Sequence, residues 1–264
     1  MPRVSNGDAE IFYEVLGNGP PVILLHPFPA NHEIWLPAAE ALVSRYQVIL
    51  PDLRGHGDSE VGEGPATMAK QAADLQRLLD HAGVGRAILA GNSLGGYVLF
   101  EFWRKHRGRV AGLALFNTKA QPDTPAARAA RLQSAEEVAV RGSEPFIEAM
   151  LPRLLGESTR RARPDLVEAV REMMLKMSRD DIAQVQKGMA ERPDSVPTLK
   201  TINVPTLVVT GDEDVLTGLP DAELMHQHIA RSQLKVIARA GHYAPWEQPE
   251  EVGKLLRQFV DGLS

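Results

Sequence analysis

The stretch Gly91-Asn92-Ser93-Leu94-Gly95 decides how this chain is read. It follows the apolar run Arg86-Ala87-Ile88-Leu89-Ala90 and precedes a second one, Tyr97-Val98-Leu99-Phe100-Glu101-Phe102-Trp103. That order predicts a buried strand, a sharp turn with a serine at its apex, and a helix. Only very small side chains fit two positions either side of such a serine, which accounts for Gly91 and Gly95. The strained turn lifts the Ser93 hydroxyl clear of the sheet. The helix behind it aims its N-terminal amides, and its partial positive charge, at whatever that hydroxyl attacks.

Working outward, the chain alternates strand and helix patterns. Residues 9–15 read as an early strand, and Pro21-Val22-Ile23-Leu24-Leu25 as a strand covered on both faces. Residues 34–45 read as a helix, Tyr46-Gln47-Val48-Ile49-Leu50 as a strand, and 67–81 as an amphipathic helix. Thr67 is its N-cap, and Leu75, Leu78 and Leu79 form its buried stripe. A further strand spans 110–116. From Gln121 to about Val196 the patterns are helical only, with Leu166, Val167, Val170, Met173, Met174 and Met177 on one face. Ser178 and Asp181 have the spacing of a capping box. Alternation then resumes with strands at 204–210 and 234–238 and helices near 219–230 and 250–259. This pattern predicts an α/β protein with a mostly parallel sheet, helices on both faces, and ligands at the carboxyl ends of the strands. The domain division expected is a core of residues 1–120 and 197–264 with a helical cap, 121–196, inserted in it.

Composition narrows the function. The chain has 264 residues and a net charge of −5, from 29 basic and 34 acidic side chains, which speaks against a nucleic-acid partner. With no cysteine, disulfide and thiolate chemistry are excluded. No apolar run approaches the ~20 residues of a membrane span, and residues 1–8 lack the apolar core of a signal peptide. A cytoplasmic enzyme or binding protein is the expectation.

A serine hydroxyl needs an adjacent base. His242, in Ala240-Gly241-His242-Tyr243-Ala244-Pro245 after the last strand, is the best candidate of the eight histidines. The base needs a carboxylate to fix its tautomer. Asp214 closes Thr210-Gly211-Asp212-Glu213-Asp214, with Asp212, Glu213 and, after the preceding strand, Asp123 as rivals. An oxyanion needs N–H donors. Leu94 supplies one; in His26-Pro27-Phe28-Pro29 the two prolines have none, so Phe28 supplies the other. Asp52, Arg54, His56 and Asp58 form a loop that could suggest a metal, but a structural brace is the simpler reading and no metal is expected. His26 reads as a loop brace, and His32, His81, His106, His226 and His228 as surface residues. Trp35 and Trp246 read as core or pocket wall. Trp35, Met150, Met173, Met177, Leu216 and Tyr243 are the candidate pocket residues, with the methionines either packing cap on core or lining an adaptable apolar pocket.

Over nearly its full length the chain resembles α/β-hydrolases of the capped carboxylesterase and enol-lactonase-like branch. The resemblance rests on His26-Pro27-Phe28-Pro29, the loop Asp52 to Ser59, Gly91-Asn92-Ser93-Leu94-Gly95-Gly96, Gly211-Asp212-Glu213-Asp214 and Gly241-His242. It implies Ser93 as nucleophile, Asp214 as acid, His242 as base, and Phe28 and Leu94 as oxyanion donors. Pro27 stands where similar proteins usually carry glycine, which stiffens that loop. The implied protein is a cofactor-independent serine esterase acting on a small-molecule ester, with no nucleic-acid or membrane partner. Lactone, carbon–carbon bond and peracid chemistry on the same residues remain open, as does a ligand-binding protein that keeps the fold. Ser93 argues against the dehalogenases and epoxide hydrolases of similar fold, which place an aspartate at the turn.

Overall fold

The apolar runs have no polar side to present to water, and the structure buries them on both faces. The computed structural model describes residues 2–263. Among these, eight strands form one sheet: β1 (Arg3–Ser5), β2 (Glu10–Leu16), β3 (Pro21–Leu25), β4 (Gln47–Pro51), β5 (Ala87–Asn92), β6 (Val110–Phe116), β7 (Thr206–Gly211) and β8 (Ser232–Ile237). Their order in space is β1-β2-β4-β3-β5-β6-β7-β8. The β1–β2 and β2–β4 pairs are antiparallel, and every other pair is parallel. All of β5 and β7 is buried, whereas the edge strand β8 alternates and is largely exposed.

The helices are α1 (Leu36–Ala39), α2 (Met68–His81), α3 (Leu94–His106), α4 (Pro125–Arg141), α5 (Glu144–Leu154), α6 (Glu157–Ala162), α7 (Pro164–Leu175), α8 (Arg179–Ala190), α9 (Val196–Leu199), α10 (Leu219–His228), α11 (Ala244–Glu247) and α12 (Pro249–Asp261). Thr67 caps α2 by accepting the Lys70 amide, and Leu75, Leu78 and Leu79 are buried beneath it. The Ser178–Asp181 capping box opens α8 with both of its reciprocal bonds. Helices α4 to α9 all lie in the one connection between β6 and β7.

Two elements differ from the sequence expectation. The helix expected over 34–45 is a 3₁₀ turn, His32–Trp35, followed by the single turn α1. Beyond α1, short-range bonds such as Leu42 N to Ala39 O tighten the chain, so that the Val43 and Tyr46 carbonyls can lie against Gly17. A side chain at position 17 would meet those carbonyls at 2.4 and 2.5 Å, and its φ of +67° suits glycine. The strand β1 carries no sequence signal, because a single inward side chain, Val4, is all it buries.

The strand order reverses direction between β3 and β5, which is where ligands bind in open α/β sheets. At that point Leu25 pairs with Gly91, so the loops carrying Phe28 and Ser93 leave the sheet side by side. Asn117, Asp214 and His242 follow the ends of β6, β7 and β8 in the same layer.

Candidate active site

The turn at Ser93 is built by three close approaches that only glycine permits, two to backbone and one to a side chain. Ser93 itself has φ 51°, a left-handed conformation that costs a non-glycine residue of order 1–3 kcal/mol. A Cβ on Gly91 would lie 2.5 Å from the Gly95 carbonyl carbon, and one on Gly95 would lie 2.5 Å from the Leu25 carbonyl oxygen. A Cβ on Gly96 would strike the Thr118 hydroxyl at 2.4 Å. That hydroxyl donates to the Ser93 carbonyl (2.8 Å), and the Ser93 amide donates to the Phe116 carbonyl (2.9 Å). The strained residue is therefore fixed from both sides. Leu94 opens α3 directly behind it.

Of the candidate carboxylates, Asp214 is the one the structure brings to His242, with Oδ2 3.0 Å from Nδ1. Both residues are buried. An N–H on Nδ1 directed at this carboxylate leaves Nε2 with its lone pair, as a base requires. Oδ2 also accepts from Asn117 Nδ2 (2.9 Å) and Thr217 Oγ1 (2.8 Å), and Oδ1 accepts the Leu216 and Thr217 amides. Burial opposes the charge, but His242 and these donors outweigh it and hold the carboxyl well below its ordinary range. The rivals are engaged elsewhere. Asp212 sits 3.4 Å from the Ala240 amide, Glu213 binds the Ser158 amide and hydroxyl, and Asp123 pairs with Arg131 and Arg192.

The loop carrying His242 is tied to its surroundings through its backbone. The His242 and Tyr243 amides donate to the Leu154 carbonyl at 2.9 and 3.2 Å. The carboxylate of Glu247 accepts the Gly241 and Tyr243 amides on Oε1 and the Gly156 amide, 2.8 Å away, on Oε2. Burial raises the pKa of this carboxyl against those hydrogen bonds. The Asn117 amide reaches the Gly241 carbonyl (3.0 Å) as well as Asp214, and Asn92 donates to the His242 carbonyl (3.2 Å).

Beside Ser93, His26 Nε2 accepts the Leu53 amide (2.8 Å), while Nδ1 donates to the Pro27 carbonyl. Asp52 takes the His32 and Asp58 amides, and Arg54 is gripped by Asp74 and Asp8 at 2.7–2.9 Å. The loop is thus a network of internal bonds. His32 corrects the surface expectation: it is buried, with Nδ1 2.7 Å from Asp52 and Nε2 3.5 Å from Glu14. Burial works against its charge, but the two carboxylates prevail and raise its pKa.

A cavity of about 410 Å³ lies between the strand ends and the helices of the β6–β7 connection, and both Ser93 and His242 open into it. Phe28, Phe146, Met150, Leu154, Met189 and Leu216 give it apolar walls. Four candidate pocket residues lie outside it. Trp35 is wholly buried, packed edge-on against Phe116 with its N–H on the Leu25 carbonyl. Met173 and Met177 are buried in the packing of the helical segment. Tyr243 is buried with its hydroxyl on the Phe28 carbonyl (3.1 Å). No group of three or more potential metal ligands occurs among the described residues, and no helix there is long and apolar enough to cross a membrane. Sequence reasoning passed over Asn117, Thr217 and Glu247. Only Asn117 carried a signal, its position directly after a strand.

A strained serine beside the switch point, under a cavity shared with an Asp-paired histidine, defines the hydrolase class of α/β protein. Residues 20–249 match the family model for the alpha/beta hydrolase fold, and the chain belongs to that family. It is 41% identical to a thermophilic esterase from Thermogutta terrifontis, solved with malate bound, over 99% of this chain and 98% of that one, with a TM-score of 0.96. It is 25% identical to the enol-lactonase from Burkholderia xenovorans LB400, over 98% of this chain and 100% of that one, with a TM-score of 0.92. Among curated proteins it is 27% identical to 3-oxoadipate enol-lactonase 1 of Acinetobacter baylyi, over 93% of this chain and 90% of that protein.

Proposed function

We propose that the protein is a carboxylesterase that works through an acyl-enzyme on Ser93. The observation that carries this is the 3.0 Å contact of Asp214 with His242 beneath the cavity that Ser93 also lines. Ser93 Oγ attacks the ester carbonyl as His242 Nε2 takes its proton. The Phe28 and Leu94 amides hold the oxyanion, each worth roughly 3–4 kcal/mol in the transition state. His242 passes the proton to the leaving alkoxide. Water then attacks the acyl-enzyme by the same route, returning the acid and free Ser93. Residues 121–196 act as the cap that shapes the acyl pocket. The esterase and enol-lactonase relatives support ester and lactone hydrolysis alike, and a lactone is opened by the same steps with its leaving alkoxide still attached.

The test is hydrolysis of 4-nitrophenyl butyrate by the wild type and by Ser93→Ala, with thermal unfolding of both. The expected result is a loss of at least about 10³-fold in kcat with the fold retained. Turnover kept by the variant removes Ser93 from the mechanism. A wild type that shows neither turnover nor labelling by a serine-directed phosphonate is a binding protein on a hydrolase fold.

A further inference from the structure

The cavity wall is not electrically neutral. Lys119, Arg131 and Arg153 line it, against one lining carboxylate outside the Asp214–His242 pair, Asp123. Immediately behind, Arg192 pairs with Asp123 at 2.8 Å while its guanidinium lies over the Tyr97 ring. Asp221 offsets Lys119 electrostatically. Four cations thus face two carboxylates, and Asp214, turned toward His242, adds a third. This cationic excess sits in a protein whose net charge is −5.

Two of the cations are poised for a further partner. Arg131 donates to Asp123 from Nε at 2.8 Å and, more weakly, from Nη2 at 3.5 Å, while its Nη1 faces only the Met189 thioether sulfur at 3.8 Å, a weak acceptor. Asp123, shared with Arg192, cannot neutralise both guanidinium groups. Arg153, exposed on the cavity lining, makes no hydrogen bond or ion pair among the described residues. One unpartnered and one partly engaged guanidinium beside apolar walls match a carboxylate on an aliphatic stem, because the stem fills the apolar part and the free N–H donors take the two oxygens.

Resting on the esterase reading above, we propose that the natural substrate is an ester or lactone carrying a second, free carboxylate, held by Arg131 and Arg153 while its other end lies at Ser93. Lys119 adds a long-range field that draws the anion in.

The test separates binding from chemistry. Ser93→Ala protein is titrated calorimetrically with monomethyl adipate and with dimethyl adipate at pH 7.5 and low salt. We expect the acid to bind at least about 10-fold more tightly, equivalent to about 1.4 kcal/mol. Adding Arg153→Gln, which removes no hydrogen bond or ion pair among the described residues, should cut that preference several-fold, and so should Arg131→Gln. The preference should also shrink as salt is raised. Equal affinity for acid and diester, or a preference untouched by both Arg variants, overturns the inference. If the acid binds selectively but the wild type cleaves neither compound, the carboxylate site stands and the esterase reading falls. If both are cleaved without selectivity, the reverse holds.

Discussion

Asn117 Nδ2 donates to Asp214 Oδ2 across 2.9 Å, and it does so from a residue whose own backbone is left-handed, with φ 42°. Asparagine is among the few non-glycine residues that accept that conformation readily. The position thus needs both an unusual backbone and a side-chain donor.

Asn117→Gly keeps the backbone geometry and removes only the donor. A hydrogen bond to a charged group is worth about 1.5–3 kcal/mol, so kcat for 4-nitrophenyl butyrate should fall roughly 10-fold or more. KM should change little, because the lost interaction orients His242 rather than substrate. Steady-state kinetics beside a melting curve check this; unchanged kcat would mean the Leu216 and Thr217 donors suffice alone.

Acid should weaken the fold before it titrates ordinary carboxylates. Burial is the leading cause that holds His26 down to about 4 and His56 down to about 3, from an ordinary 6.5. Between those values and 6.5 the unfolded chain binds more protons than the folded one, so stability falls as pH falls. His26 Nε2 must stay unprotonated to accept the Leu53 amide. Its share is about 3 kcal/mol as an upper bound, lost between about pH 6.5 and 4. Urea midpoints at pH 7 and pH 4.5 should show the decline. His26→Gln, whose side-chain oxygen can accept from Leu53, should roughly halve it, leaving the share of His56. A slope undiminished by this substitution would take His26 out of the acid sensitivity.

Glu247 does not line the cavity at Ser93, yet Glu247→Gln should impair the enzyme. The substitution turns an accepting oxygen into an NH₂ group facing backbone N–H groups that now have Glu247 to bond with. Leaving such a buried donor unpaired costs roughly 1–3 kcal/mol. The urea midpoint should drop accordingly, and kcat should fall with it because Gly241 and Tyr243 flank the base. Stability lost with kcat intact would confine Glu247 to a purely structural role.

How far the sequence could be read follows the range of each interaction. Ser93 was legible because the clash that requires Gly91 is local, with Gly95 in the same turn, although Gly95 and Gly96 also answer to the distant Leu25 and Thr118. The meeting of Asp214 and His242 was legible because strand ends in a parallel sheet converge. His32 was misread because its partner Asp52 lies 20 residues away and nothing in the intervening chain announces the contact. Met173 and Met177 belong to an apolar stripe, and such a stripe looks the same whether it faces a cavity or a neighbouring helix. Met150 and Leu216 do line the cavity, on the same kind of evidence. The roles of Thr217 and Glu247 exist only in three dimensions.

One carbonyl oxygen, that of Leu154 at the end of α5, receives the amides of both His242 and Tyr243. Roof and floor of the chamber are therefore riveted at the point where the imidazole stands. Were α5 to lift away as a free flap, it would pull that ring out of alignment with every opening.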